Sequence, residues 1–119
     1  MTPLTLVCGG GAAAREAAIA AALLPGVATA IIIEGLSDGN SALAEMSGHT
    51  IVRIAPGCLC CAGNLVLRVT LNRILRRPPT HIFISLASAA HIGQLRAWLS
   101  QAPYEQLLRL QADITAGPE

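Results

Sequence analysis

The sequence predicts a three-layer α/β sandwich built on a mostly parallel sheet. Three observations predict it. Short β-branched runs alternate with longer runs of helical character along the 119 residues. The strand-like runs are near-continuously apolar, the pattern of strands covered on both faces. The first of them runs into Gly9-Gly10-Gly11, and a helix former follows at once.

Leu4 to Cys8 is a short apolar run closed by those glycines, so it reads as a strand entering a tight turn. Ala12 to Leu24 is rich in alanine and free of glycine and proline, which predicts a helix, and Pro25-Gly26 stops it. Val27 to Ile33 suits a doubly buried strand. Glu34 to Gly48 is loop-like, with one helical turn over Ala42 to Met46. Thr50 to Ala55 is a third strand, broken by Pro56-Gly57. From Asn64 to Arg77, Leu67, Leu71, Ile74 and Leu75 recur at helical spacing. Arg73, Arg76 and Arg77 fall in the last turns, and Pro78-Pro79 ends the helix. His81 to Leu86 is a fourth strand, and Ala89 to Ser100 a third helix carrying Ile92, Leu95 and Leu99. Leu107 to Ile114 reads either as an edge strand or as a helix continuing from Tyr104, and Ala116 to Glu119 as a frayed tail. No repeat or low-complexity linker interrupts the pattern, so residues 1–119 read as one domain.

Composition narrows the function. The chain is 53% hydrophobic and 13% charged, about half the charged share of an average domain. It has one Trp, one Tyr and one Phe, so its core must be aliphatic. So few charges leave apolar surface hard to cover, and a homodimer is expected. A net charge of +1 with dispersed arginines gives no footprint for nucleic acid. The uncharged run Ala17 to Ile33 is short for a membrane span and is broken midway by Pro25-Gly26. The N-terminus lacks the basic region of a secretory signal, so a cytoplasmic location is expected, where clustered cysteines point to metal or redox chemistry.

Two segments carry chemistry. A strand, a glycine turn and a helix make the frame of a phosphate cradle, with helix N–H groups facing an anion. Set against the pattern G-x-x-x-x-G-K-[ST], the window from Gly9 to Glu16 keeps the first glycine and the spacing. Ala14 replaces the second glycine, Arg15 the lysine, and Glu16 the hydroxyl that holds Mg²⁺. The chain has no lysine anywhere. Gly9, Gly10, Gly11 and Arg15 are thus candidates only for a degenerate phosphate loop, and a ligand-free βα turn is the competing reading.

The second segment is Gly57-Cys58-Leu59-Cys60-Cys61, which holds three of the four cysteines. Adjacent thiolates need a cation to stay charged together, and their softness favours Zn²⁺ or Cu(I). A tetrahedral site needs a fourth donor. Cys8, at the end of the first strand, is the first candidate, with His49 and His91 behind it. Cys58 and Cys61 also have the spacing of a dithiol couple, and buried inert cysteines are the plainest alternative.

Gly57-Cys58-Leu59-Cys60-Cys61 resembles the G-C-x-C-C signature of the CobW-type metal-insertion GTPases, which include zinc metallochaperones and nitrile hydratase activators. The order of elements from Leu4 to about Leu99 is similar to the N-terminal, P-loop-NTPase-like domain of that family. The resemblance implies metal binding at Cys58, Cys60 and Cys61. It does not carry GTP hydrolysis, because Arg15 and Glu16 replace the catalytic pair and Ser85-Leu86-Ala87-Ser88 lacks the family's Glu-x-x-Gly. The chain also stops before the Asn-Lys-x-Asp guanine-reading motif, as a truncated relative would. The expectation is a zinc-binding, metallochaperone-like pseudo-GTPase, with a metal ion and a client metalloprotein as partners and no use of GTP. A noncanonical GTP-binding GTPase and an inert regulatory mimic of the GTPase domain are the alternatives.

Overall fold

In this computed structural model the described residues are 1–24, 26–35, 49–54, 65–87, 90 and 92–116. They hold the strands β1 (Thr2–Cys8), β2 (Thr29–Glu34), β3 (His49–Ile54), β4 (His81–Ser85), β5 (Leu108–Leu110) and β6 (Ile114–Thr115). The helices are α1 (Ala12–Ala22), α2 (Leu65–Leu75) and α3 (Ile92–Leu99). The spatial order is β3-β2-β4-β1-β5, with β6 also paired to β1, and every pairing among the described strands is parallel.

Handedness then distributes the helices. The path from β1 to β2 runs one way across the sheet, whereas the paths from β3 to β4 and from β4 to β5 run back. Right-handed crossovers therefore place α1 on one face and α2 and α3 on the other. The core divides accordingly. Ile19 of α1 packs with Val7, Ile31, Ile33 and Phe83. Leu67 and Leu71 of α2, with Leu95 and Leu99 of α3, pack against Leu4, Leu6, Ile32, Ile82 and Ile84. Neighbours along each strand, such as Leu6 and Val7, serve opposite faces, as the two-residue strand period requires. Covered on both sides, β2 is buried at all six positions, which is why it reads as a continuous apolar run.

The C-terminal segment takes the edge-strand alternative over the helical one and departs from the sequence reading at Ala116. Tyr104–Gln106 is a single 3₁₀ turn, and two short strands follow. Both pair with β1, β5 over Thr2 to Leu4 and β6 over Val7 and Cys8. Ala116 is not frayed. It is buried, and its N–H donates to the Cys8 carbonyl at 2.7 Å, extending the ladder past β6. Among the described strands the longest edge is β3, which ends the strand order. The helical turn expected over Ala42 to Met46 lies outside the described residues. Among the described helices, none is long and apolar enough to cross a membrane.

Candidate functional site at the carboxyl end of the sheet

The chain leaves β1 in one direction and β4 in the other, and these two strands are neighbours. In an open parallel sheet that reversal leaves a crevice beyond the strand ends, where ligands collect. Val7 pairs with Ser85 there, and Cys8 and the glycine turn follow directly.

Gly9 and Gly10 have φ of 83° and 58°, the left-handed region that disfavours side chains. At Gly9 there is also no room, because a Cβ would lie 3.0 Å from the Ala116 carbonyl oxygen and from Thr115 Cγ2. The turn is thus pinned against β6. Gly11, with extended backbone, caps α1 without a side-chain bond.

The helix then buries two charged residues. Arg15 is 5% exposed, and its guanidinium is held by internal acceptors at Nε and Nη1. Nε donates to Ser85 Oγ at 3.1 Å, and Nη1 donates to the Gly10 carbonyl at 2.8 Å and, at 3.5 Å, to that of Gly9. The positive end of the α1 dipole opposes a cation here, and the two glycine carbonyls turned toward it offset that field. Glu16 is 4% exposed. Its Oε1 accepts from Arg53 Nη2 on β3 at 3.2 Å. Beside them Glu34, the last residue of β2, accepts the Ala87 N–H at 2.8 Å.

Sequence reasoning singled out Gly9, Gly10, Gly11 and Arg15, and the fold brings them together. It missed Ser85, Arg53 and Glu34. The sequence marks Ser85 only as the first residue of the segment that lacks the family's Glu-x-x-Gly, and Glu34 only by its place at a strand end. Arg53, mid-run in a strand expected to be apolar, was itself a signal that a buried carboxylate faces it.

Cys8 ends β1 with a free thiol, 6% exposed, on the face covered by α2 and α3. Cys58, Cys60, Cys61 and His91 lie outside the described residues. β3 ends at the same edge of the sheet as β1, and α2, the next described element, lies on the face that Cys8 occupies. His49 opens β3, so it sits at the opposite end, about 16 Å away at roughly 3.3 Å per residue. That placement removes His49 as a partner of Cys8. Among the described residues no three His, Cys, Asp or Glu side chains converge on a metal position. Among the described residues two titrations are displaced, both away from this crevice. Burial lowers His81 below its usual range, and burial raises Tyr104 against the opposing charge of Arg68.

The chain is similar to the zinc chaperone YeiR of Escherichia coli (strain K12), with 32% identity over 76 residues. The match takes in 63% of this chain and 23% of that protein, so the chain spans about a quarter of its relative. No protein-family profile matches the chain, and no solved structure matches it.

Proposed function

We propose that this chain is a CobW-type, metallochaperone-like protein that takes Zn²⁺ or a similar soft divalent ion as cargo. Cys58, Cys60 and Cys61 supply thiolates, Cys8 is the fourth donor, and transfer to a client metalloprotein proceeds by ligand exchange. The observation that carries this reading is the 32% identity over 76 residues with a zinc chaperone. The position of Cys8 supports it. A reduced cysteine ends β1 at the edge where β3 also ends, on the face where α2 begins.

The same reading makes the glycine turn a pseudo-GTPase remnant. Its residues do not fit a hydrolytic phosphate loop. Arg15 already spends Nε and Nη1 on Ser85 and the turn carbonyls, so gripping phosphate would strip those acceptors. Glu16 puts a carboxylate where a hydroxyl is needed, and the negative charge faces phosphate oxygens. At ~4 Å and an effective dielectric of about 20, such a contact costs about 4 kcal/mol.

Competition with a chelator tests the metal half. Reduced wild-type protein is expected to keep about one Zn²⁺ per chain, as closed thiolate sites do, and Cys60→Ser to lose it at lower chelator. Equal retention by the two proteins sinks the cysteine assignment. Calorimetry with a non-hydrolysable GTP analogue and Mg²⁺ tests the other half. Micromolar binding that Arg15→Ala abolishes would replace the pseudo-GTPase reading with a nucleotide switch.

A further inference from the structure

At the opposite end of the sheet, between α2 and the edge strand β3, lies an open cavity of about 390 Å³. That volume is within the range of small-molecule sites. Ala30, Val52 and Ile74 contribute apolar lining, Thr50 and Thr70 flank them, and Arg73, Arg76 and Arg77 stand at the rim. Among the described residues no carboxylate lines it.

The grouping of three arginines sets this cavity apart, since Arg68 and Arg109 are exposed too but stand elsewhere. Of the eight in the chain, Arg15, Arg53 and Arg96 hold internal acceptors, Arg96 through Asp113 at 2.6 Å. Arg73, Arg76 and Arg77 are exposed, and among the described residues their guanidinium groups have no acceptor. One basic residue in a last helical turn is accounted for by the helix dipole. Three around one concavity repel each other, and that repulsion falls when an anion binds. A guanidinium offers paired N–H donors that match phosphate oxygens, and here three line one cavity together with Ala30, Val52 and Ile74.

We propose that this groove is a binding site for a small organic phosphate, a ligand with a phosphate for the arginines and a compact apolar body for Val52 and Ile74. The site is separate from the glycine turn, since Arg76, Arg77 and Pro79 precede β4 whereas the turn follows β1 in a parallel sheet. It does not depend on the metal reading. Thr50 and Val52 lie on β3, which ends the order of the described strands, so an extended acidic peptide adding to it is the rival occupant. The concave shape and apolar floor favour the small molecule.

Phenyl phosphate is the probe, followed by amide NMR shifts on the full chain with inorganic phosphate and phenol in parallel. Phenyl phosphate is expected to shift Thr50, Val52, Thr70 and Ile74. The double change Arg73→Gln with Arg77→Gln should weaken it by at least about tenfold, the scale of one lost charged hydrogen bond. Raising the salt to 0.5 M, roughly halving the screening length, should weaken it too. Arg109→Gln, on β5, should leave it unchanged. Shifts centred on Gly9 to Ala12, or equal affinity in the double variant, overturn the assignment. Inorganic phosphate binding as tightly as phenyl phosphate removes the organic half. A glutamate-rich peptide that shifts β3 when phenyl phosphate does not transfers the groove to peptide docking.

Discussion

The two ends of the sheet treat the same side chain in opposite ways. At the carboxyl end Arg15 is buried against a serine and two carbonyls, and the half-buried Arg53 pairs through Nη2 with a buried glutamate while its Nη1 has no partner among the described residues. At the amino end Arg73, Arg76 and Arg77 stand in solvent around a groove with no acceptor among the described residues. Burying a charge is costly unless it is paired, and Arg15 and Arg53 both hold internal acceptors, so charge at the first end is part of the architecture. Charge at the second end is free to meet a ligand. A glycine turn followed by a basic residue draws attention to the first end, yet the capacity for anions lies at the second.

If this contrast is correct, substitutions at the carboxyl end disturb stability. The largest effect is expected at Gly9. Gly9→Ala forces a side chain into left-handed backbone, costing roughly 1–2 kcal/mol, and drives a methyl against the Ala116 carbonyl for about as much again. The sum is about 3 kcal/mol. Gly26 has a similar φ of 76° but nothing within 4 Å of its Cβ, so Gly26→Ala should cost only about 1 kcal/mol. Urea midpoints of the two variants separate strain from crowding. Equal losses would mean that the turn is not pinned against β6.

Glu16→Gln comes next. It leaves the Arg53 guanidinium facing a neutral amide, and removing one member of a buried pair costs several kcal/mol. The Arg53 side chain keeps 23% of its exposure, so water softens the loss to about 2 kcal/mol. A loss under about 0.5 kcal/mol would show that the pair is no more than a surface contact.

What was legible in the sequence follows from how local each cause is. The run through Ile31, Ile32 and Ile33 announces a doubly covered strand because burial at every position erases alternation. The glycine turn is legible because the φ it needs is a property of its own residues. Arg15 and Glu16 are visible as departures from a phosphate loop, but their partners are 70 and 37 residues away, and no local pattern reports such pairs. β5 and β6 have three and two residues, too few to express a period. The groove is legible only in half. The arginines show as a helix-end cluster, whereas its floor comes from Ala30 and Val52, set opposite α2 only by the strand order.

A smaller effect belongs to His81, which opens β4. Its ring stacks on Phe83 with centroids 4.3 Å apart, and Nε2 lies 2.9 Å from Thr5 Oγ1. Burial lowers its pKa below the ordinary 6.5, so the unfolded chain binds the proton more readily than the folded one. The contribution of His81 is therefore complete above about pH 6.5 and declines as pH falls from there through the folded-state pKa. Comparing the wild type with His81→Gln at pH 7.5 and 5.5 isolates this residue from the carboxylates. The wild type should lose more stability on acidification, and equal losses would mean that the imidazole is as well solvated folded as unfolded.

The smallest effect on stability is expected where the groove arginines are changed. Each gains a few tenths of a kcal/mol from the negative end of α2, and each loses a similar amount to its neighbours, with no carboxylate among the described residues to tip the balance. Arg76→Gln with Arg77→Gln should thus move the urea midpoint by less than the equivalent of ~0.5 kcal/mol, the usual span for surface changes. The same two residues are expected to carry phosphate affinity, so stability and binding should separate here as they cannot at Arg15. Salt sharpens the test. Added NaCl screens the mutual repulsion of the three guanidinium groups, so the wild type should gain slightly more stability from it than the double variant. A double variant that unfolds at much lower urea would mean that these arginines have partners after all. The two ends of the sheet would then differ in degree rather than in kind.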